Sequence, residues 1–301
     1  MSLTANKLKG VFTALVTPFQ PQTLKVDEAK LRALVNSQIK AGVAGLVVVG
    51  TTGESATLSH AEHEKIIKIV VEETDKRVIV IAGAGSNNTK ESVSLARHAK
   101  KVQADAILVV APYYNKPTQT GLIAHYQEIA KVGIPMVLYN VPSRTGCNLT
   151  AETTLTLAQN PNIIAIKEAS GDLKQIKAIC RQKPQDFAVL SGEDSQTLQI
   201  IRAGGSGVVS VVANQIPKEL SNMLRLALKG KFQLAQAINR KFQKLMRLNF
   251  VDNNPTDVKF ALAQMGKIDF VVRLPLVAPT PGNQKLIQQE LAKLGLAKPA
   301  K

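Results

Sequence analysis

The residue with the clearest chemical potential is a lysine at the end of an apolar run. Lys167 directly follows the segment NIIAI at positions 162–166. An ammonium group that emerges from a buried strand loses hydration, and this loss favours the neutral amine, which is the nucleophilic form. Such an amine can form a Schiff base with a carbonyl substrate. The sequence leaves open a second interpretation, in which Lys167 is a structural residue that pairs with Glu168.

Tyrosines concentrate near the same kind of position. The chain has four tyrosines, and Tyr113, Tyr114 and Tyr139 all fall where predicted strands end. Because a phenol both donates and accepts a hydrogen bond, it can carry the protons that imine formation requires. The alternative is that these rings are amphipathic residues of a loop or an interface.

Two further segments could hold carboxylate groups. Thr51 and Thr52 lie between two glycines in a predicted tight turn, whose backbone N–H groups and hydroxyls could bind a small carboxylate. Arg144 lies in a predicted loop after the fifth apolar run, from which a guanidinium could bind a carboxylate with two hydrogen bonds. A sterically required turn and an ordinary surface ion pair are the respective alternatives.

The elements that must position these residues follow a regular pattern. Eight short runs rich in Val and Ile alternate with helical segments, which is typical of βαβ units with a parallel sheet. Repeats of about 25–30 residues favour a (β/α)8 TIM barrel over an open doubly wound sheet, and a barrel's site lies at the C-terminal strand ends. The predicted strands are Gly10–Val16, Ala44–Gly50, Arg77–Gly83, Asp105–Ala111, Ile134–Asn140, Asn162–Lys167, Phe187–Gly192 and Ser206–Val212.

Helix-capping patterns support this arrangement. Ser59 followed by Glu62 predicts a capping box, and Asp27 and Thr150 are predicted N-caps of two other helices. Predicted strands cease at about residue 217, and helical periodicity continues from there. We therefore expect a catalytic barrel over residues 1–216, followed over residues 217–301 by the final barrel helix and a C-terminal helical extension packed on the barrel.

Charge and composition argue against several other classes of protein. The formal net charge is +16, and residues 218–301 hold 15 Lys and Arg against 5 Asp and Glu, scattered along helical patterns. No arginine-rich block or RNA-binding motif accompanies them, so we expect no nucleic-acid partner. We expect no membrane span, which needs ~18 apolar residues, and no signal peptide. Two cysteines and the lack of any metal-binding spacing favour a cytoplasmic protein without a metal site.

Four motifs resemble those of the dihydrodipicolinate synthase family, which belongs to the N-acetylneuraminate lyase superfamily of pyruvate-dependent barrels. They are GTTGES at 50–55, PYYNKP at 112–117, YNVPSRTG at 139–146 and IKEA at 166–169, in the family's order. The resemblance covers nearly the whole chain. It implies condensation of pyruvate with L-aspartate 4-semialdehyde to 4-hydroxy-tetrahydrodipicolinate, on the route to lysine and diaminopimelate, without a metal or organic cofactor.

The resemblance also implies the catalytic roles. Lys167 would form the Schiff base, and Tyr139 would transfer protons above it. Thr51 and Tyr114 would complete a proton relay with Tyr139. Tyr114 would reach in from a neighbouring subunit, because the family usually forms tetramers built as dimers of dimers.

Other residues take binding roles in the resemblance. Thr52, Gly192 and the backbone at Val209 would shape the pyruvate pocket, and Arg144 would bind the carboxylate of the incoming aldehyde. Family members from several bacteria and plants are inhibited by lysine in a cleft at a dimer interface. The positions of this chain that match that cleft are Ala56, His60, His63, Asn87, Glu91 and Tyr113. The alternative is that these residues belong to two helix termini that face solvent.

Two other functions stay open on the sequence. A sugar-acid aldolase or sialic-acid lyase would keep the Schiff base and change the aldehyde, but Arg144 in the segment SRTG favours the synthase. A basic barrel that binds nucleic acid or a protein partner without catalysis would make the strand-end lysine and tyrosines a coincidence.

Overall fold

The chain forms a closed barrel of parallel strands, described here in a computed structural model over residues 3–297. Each strand pairs with the next, and the last pairs with the first, so the eight-stranded (β/α)8 TIM barrel predicted from the sequence is confirmed. The strands are β1 (Gly10–Ala14), β2 (Gly45–Val48), β3 (Ile79–Gly83), β4 (Ala106–Val110), β5 (Met136–Asn140), β6 (Ile163–Glu168), β7 (Ala188–Ser191) and β8 (Gly207–Ser210).

The strands lie at the predicted positions and most are shorter at their ends than expected. The largest difference that bears on the site is at β2, which ends at Val48 and not at Gly50. Val49 takes a left-handed conformation (φ 49°), which turns the chain away from the sheet. A positive φ is an outlier for a β-branched residue, and the sequence gives no local sign of it.

The helices surround the barrel and begin where their caps predict. Asp27, Ser59 and Thr150 each accept a backbone N–H at a helix start, and Ser59 with Glu62 forms the predicted capping box. The helices are α1 (Glu28–Lys40), α2 (His60–Thr74), α3 (Thr89–Lys101), α4 (Gln119–Ala130), α5 (Pro142–Thr145), α6 (Ala151–Leu157), α7 (Leu173–Gln182), α8 (Thr197–Arg202), α9 (Pro217–Leu228), α10 (Phe232–Leu248), α11 (Thr256–Gln264) and α12 (Pro281–Lys293).

Alternation along the strands separates two cores. Residues such as Val137 and Ala165 point into the barrel, where they form an inner cluster, whereas Leu138 and Ile166 pack under the surrounding helices. Tyr139 and Lys167 continue the inward series of β5 and β6. The period of two therefore directs both side chains to the barrel axis near its C-terminal mouth.

Beyond the barrel, α12 packs against both α10 and α11. Helix α10 contacts α8 and α9, and α11 contacts the 3₁₀ turn that follows β8. The predicted division of the chain at residue 216 stays a proposal. Within residues 3–297, none of the helices has both the length and the apolar character that a membrane crossing requires.

Candidate active site

Lys167 and Tyr139 face each other at the mouth of the barrel. Their Cα atoms are paired in the register between β5 and β6. The Lys167 Nζ lies 3.8 Å from the centroid of the Tyr139 ring. Both residues are buried, with exposed fractions of 8% and 7%. The neighbouring strands therefore hold an amine and a phenol within reach of one small substrate.

Lys167 does not pair with Glu168, so the structural interpretation of this lysine is wrong. Because successive strand residues point to opposite faces, Glu168 lies outside the barrel wall. Its carboxylate accepts hydrogen bonds from the side chains of Asn140 and Gln175 and from the backbone of Ser170. Burial raises the pKa of the Glu168 carboxyl, and these donors counteract that rise.

Gly192 allows the Lys167 side chain to lie against β7. A Cβ atom at position 192 would meet the Cβ of Ala169 at 2.7 Å and the Cε of Lys167 at 3.1 Å. The Gly192 N–H also donates to the Glu168 carbonyl at 2.8 Å. Any larger residue here would displace the lysine, which gives a steric reason for glycine at this predicted pocket position.

The two threonines occupy a tight turn directly after β2. Thr51–Gly53 forms a single 3₁₀ turn, which begins after the left-handed Val49 and ends at the left-handed Glu54 (φ 55°). Thr52 is buried, and its Oγ1 accepts a hydrogen bond from Asn254 Nδ2 at 3.1 Å. Both threonines line the cavity at the mouth, and their predicted role in binding a carboxylate stays a prediction.

Arg144 lies in the short helix α5, so the prediction of a loop at this position is wrong. Pro142 at the first helical position has a fixed φ that suits a helix start, and Gly146 ends the helix in a left-handed conformation. The Arg144 Nη2 donates to the carbonyl of Asn254 at 3.3 Å. Over residues 3–297 this is the one hydrogen bond that the Arg144 guanidinium makes, and the residue lines the cavity rim.

These residues enclose one cavity of about 230 Å³. Six of the eight predicted catalytic and substrate-binding residues line it: Thr51, Thr52, Tyr139, Arg144, Lys167 and Gly192. Val209 lies deeper, in the inner cluster, and Val211 lines the wall above it. Tyr114 is 88% exposed in this chain and does not line the cavity.

Comparison with known proteins agrees with this arrangement. The sequence pattern of the Dihydrodipicolinate synthetase family matches residues 7–294. The chain belongs to this family. A 4-hydroxy-tetrahydrodipicolinate synthase of Koribacter versatilis is 51% identical over 296 residues, which are 98% of each chain. The resemblance seen in the four sequence motifs is therefore confirmed.

Solved structures of the synthetase family superpose closely. The chloride-inhibited dihydrodipicolinate synthase from Acinetobacter baumannii, complexed with pyruvate, has a TM-score of 0.94 and 40% identity, covering 96% of this chain and 99% of that chain. The enzyme from Cyanidioschyzon merolae with lysine bound gives the same TM-score, identity and coverage.

In this synthetase-family chain, sequence reasoning missed the contribution of the C-terminal extension to the site. Phe250 and Asn254 line the cavity, and Asn254 contacts both Thr52 and Arg144. Asn254 is separated from Thr52 by 202 positions, and it lies outside every predicted strand end. Only the family pattern, which extends to residue 294, could have indicated that this segment belongs to the site.

The residues matched to the lysine cleft form a second group beside the cavity. His60 Nε2 lies 2.8 Å from Glu91 Oε1, and the hydroxyl of Ser86 bonds the other carboxylate oxygen of Glu91. These hydrogen bonds hold the pKa of the Glu91 carboxyl below its usual value. His63, one turn along α2, lines the main cavity, and burial lowers its pKa to about 4.

The remaining matched residues lie at the surface. Ala56 and Tyr113 are exposed, and the carbonyl of Asn87 accepts a hydrogen bond from Asn115 Nδ2 at 2.9 Å. In residues 3–297 no group of three or more His, Cys, Asp and Glu side chains is arranged to hold a metal ion. The predicted absence of a cofactor stays a prediction.

Proposed function

We propose that the chain condenses pyruvate with L-aspartate 4-semialdehyde through a Schiff base on Lys167, giving 4-hydroxy-tetrahydrodipicolinate for lysine and diaminopimelate biosynthesis. The observation that carries the proposal is the buried Lys167 amine, 3.8 Å from the Tyr139 ring, in a cavity with Arg144 at its rim. Membership of the synthetase family, whose relatives carry this activity in their names, supports it.

The first half of the reaction uses the inner residues. The neutral amine of Lys167 attacks the pyruvate ketone, and the resulting carbinolamine loses water to give the imine. Tyr139, within reach of both atoms, supplies and removes the protons, and Thr51 links its phenol to Tyr114 of a neighbouring subunit. The Thr52 hydroxyl and the adjacent N–H groups bind the pyruvate carboxylate beside Gly192, with the backbone at Val209 as part of the pocket floor.

The second half uses the rim. Loss of a methyl proton converts the imine to an enamine, whose carbon attacks the aldehyde of the second substrate. Arg144 binds the carboxylate of that substrate, since it lines the cavity from α5 and only one guanidinium nitrogen bonds to another residue within 3–297. The substrate's own amino group then displaces Lys167 from the imine, so the ring closes and the free lysine returns. One water is released over the whole cycle.

Turnover with both substrates tests this function. We expect the purified chain to form 4-hydroxy-tetrahydrodipicolinate from pyruvate and aspartate semialdehyde, detected by mass spectrometry. An Arg144→Gln variant should raise the KM for the semialdehyde by roughly 10-fold or more while pyruvate still forms its imine, because one charged hydrogen-bonding partner is lost. Faster turnover with a sugar aldehyde than with aspartate semialdehyde would contradict the proposal and favour a sugar-acid aldolase.

We also propose an assembly in which Tyr114 completes the site of a neighbouring subunit. Its exposed ring, its left-handed backbone (φ 75°) and its absence from the cavity of its own chain support a role in a neighbour's site. We expect a homotetramer, built as a dimer of dimers. Analytical ultracentrifugation checks the mass, and an active monomer would contradict the shared relay.

We also propose that lysine inhibits the enzyme at the group around Glu91. Glu91 bonds His60 near the surface, and His63, one turn along the same helix, lines the main cavity. The lysine-bound structure of a 40% identical relative supports the proposal. A lysine titration of turnover tests it, and a Glu91→Gln variant should need a higher lysine concentration for half inhibition.

The cellular location stays a proposal. Cys147 and Cys180 are both free, which suits a reducing compartment such as the cytoplasm. Fractionation of cells that express the chain would test this location.

A further inference from the structure

A buried ion pair lies directly behind the threonine turn. The Lys259 ammonium on α11 contacts the Glu54 carboxylate, and neither side chain is exposed to solvent. The pair joins residues 205 positions apart, one in the barrel and one in the C-terminal extension. Neither residue lines the cavity, and the chemistry proposed above uses neither of them.

Keeping two charges away from water is costly, so this pair needs compensating contacts. The second oxygen of Glu54 accepts the backbone N–H of Arg273 at 3.2 Å. The Lys259 ammonium also lies 4.2 Å from the centroid of the Phe19 ring. Burial lowers the pKa of Lys259 to about 8, and the Glu54 carboxylate opposes that change.

The turn that the pair adjoins has an unusual backbone at both ends. Val49 and Glu54, which flank Thr51 and Thr52, are both left-handed, with φ of 49° and 55°. Non-glycine residues hold such conformations only where the surroundings enforce them. The extension supplies such contacts at the Glu54 end of the turn. Lys259 and the Arg273 N–H bond Glu54, and Asn254 bonds the neighbouring Thr52.

We propose that Glu54 and Lys259 form a positioning pair that clamps the Thr51–Thr52 turn to the C-terminal extension, so that the two hydroxyls stay aimed into the cavity. The inference rests on the proposed function, because those hydroxyls are assigned to pyruvate binding and proton relay. It makes the extension a working part of the active site. It also gives the ion pair a role other than stability, because hydrophobic residues can often replace a buried ion pair without loss of stability.

Kinetics of three variants of the full-length enzyme test the clamp. Glu54→Gln removes the charge and nearly keeps the shape, Glu54→Asp keeps the charge and shortens its reach, and the double variant Glu54→Gln with Lys259→Met leaves no unpaired charge. We expect each to raise the KM for pyruvate at least 5-fold and to slow borohydride trapping with pyruvate. The KM for aspartate semialdehyde, which depends on Arg144, should change less than 2-fold.

Glu290→Gln is the matched control. Glu290 is another buried carboxylate of the extension, paired with Lys244 at 3.2 Å, and it does not line the cavity. This variant should lose thermal stability without any change in the KM for pyruvate. If the single Glu54 variants fail to fold, the double variant still tests the clamp, because it leaves no unpaired charge in the interior.

Two different results would distinguish a failure of the clamp from a failure of the proposed function. Wild-type KM for pyruvate and wild-type trapping rates in the folded double variant or in Glu54→Asp would overturn the clamp and leave the proposed function intact. Absence of any borohydride adduct in the wild-type enzyme would overturn the proposed function itself.

Discussion

Lys167 and Lys259 are both buried in this molecule, and their surroundings differ in one respect. Lys259 is fully buried and contacts the carboxylate of Glu54. Within residues 3–297 no carboxylate lies within ion-pair distance of Lys167, which faces the Tyr139 ring and an open cavity. Burial alone therefore does not make a reactive lysine. A buried lysine that is paired with a carboxylate, such as Lys259, has a structural role. A buried lysine that faces a cavity without a carboxylate partner, such as Lys167, is available as a nucleophile.

Replacing Lys167 should have the largest effect on activity. A Lys167→Met variant keeps the apolar length of the side chain and removes the amine, so we expect turnover to fall by at least about 10³-fold. Steady-state kinetics and circular dichroism check this result. Activity within about 10-fold of the wild type, in a correctly folded variant, would show that the comparison assigns the wrong lysine to catalysis.

Replacing Lys259 should have the larger effect on stability. A Lys259→Met variant leaves Glu54 as an unpaired buried charge, which costs about 3–5 kcal/mol of unfolding free energy. The double variant with Glu54→Gln should recover most of that loss, because no lone charge remains. Urea unfolding of the wild type and both variants measures this. Equal destabilisation of the single and double variants would contradict the ion-pair account.

The phenol of Tyr139 distinguishes proton transfer from packing against Lys167. Tyr139→Phe keeps the ring beside the Lys167 Nζ and removes the hydroxyl, so we expect kcat to fall by about 100-fold. Tyr126→Phe is the control: its buried hydroxyl donates to the Val109 carbonyl at 3.2 Å, and neither residue lines the cavity. That control should lose about 1 kcal/mol of stability and no activity. Equal kcat values for the two variants would exclude the relay.

His125 adds to the two lysines a buried base whose pKa is shifted by burial and not by a charged neighbour. Burial alone lowers its pKa from its ordinary value of 6.5 to about 4. In the unfolded chain His125 is protonated below about pH 6.5, whereas in the folded chain it stays neutral until the pH approaches 4. Acid therefore favours the unfolded chain, so the stability that His125 contributes is complete above pH 6.5 and is lost as the pH falls toward 4. At pH 5 the loss should be roughly 1–2 kcal/mol.

A His125→Phe variant isolates this effect. Urea unfolding at pH 7 and at pH 5 should show a smaller difference in the variant than in the wild type, by that same amount. The buried His63 is present in both proteins, so its effect on the pH dependence cancels in the comparison. An unchanged difference would mean that His125 is protonated in the folded state.

The sequence was sufficient for the barrel and for most of the cavity. Local apolar runs and capping residues fix strands and helices, and the period of two along β5 and β6 directs Tyr139 and Lys167 inward. Most predicted site residues follow a strand, so their position at the mouth comes from the barrel geometry.

The contribution of the extension could not be predicted in the same way. Asn254 and Lys259 reach the threonine turn across more than 200 positions of sequence, and no local pattern encodes a contact of that length. The left-handed Val49 and the short helix at Arg144 also depend on tertiary contacts and not on propensity. Tyr114 needs a second subunit, which the sequence of one chain does not describe.

The most direct test of the account is to identify the lysine that reacts with pyruvate. The enzyme is treated with pyruvate and borohydride, digested, and analysed by peptide mass spectrometry. We predict one covalent adduct per chain, on Lys167, with Lys259 unmodified. An adduct on another lysine, or no adduct at all, would contradict the Schiff-base mechanism.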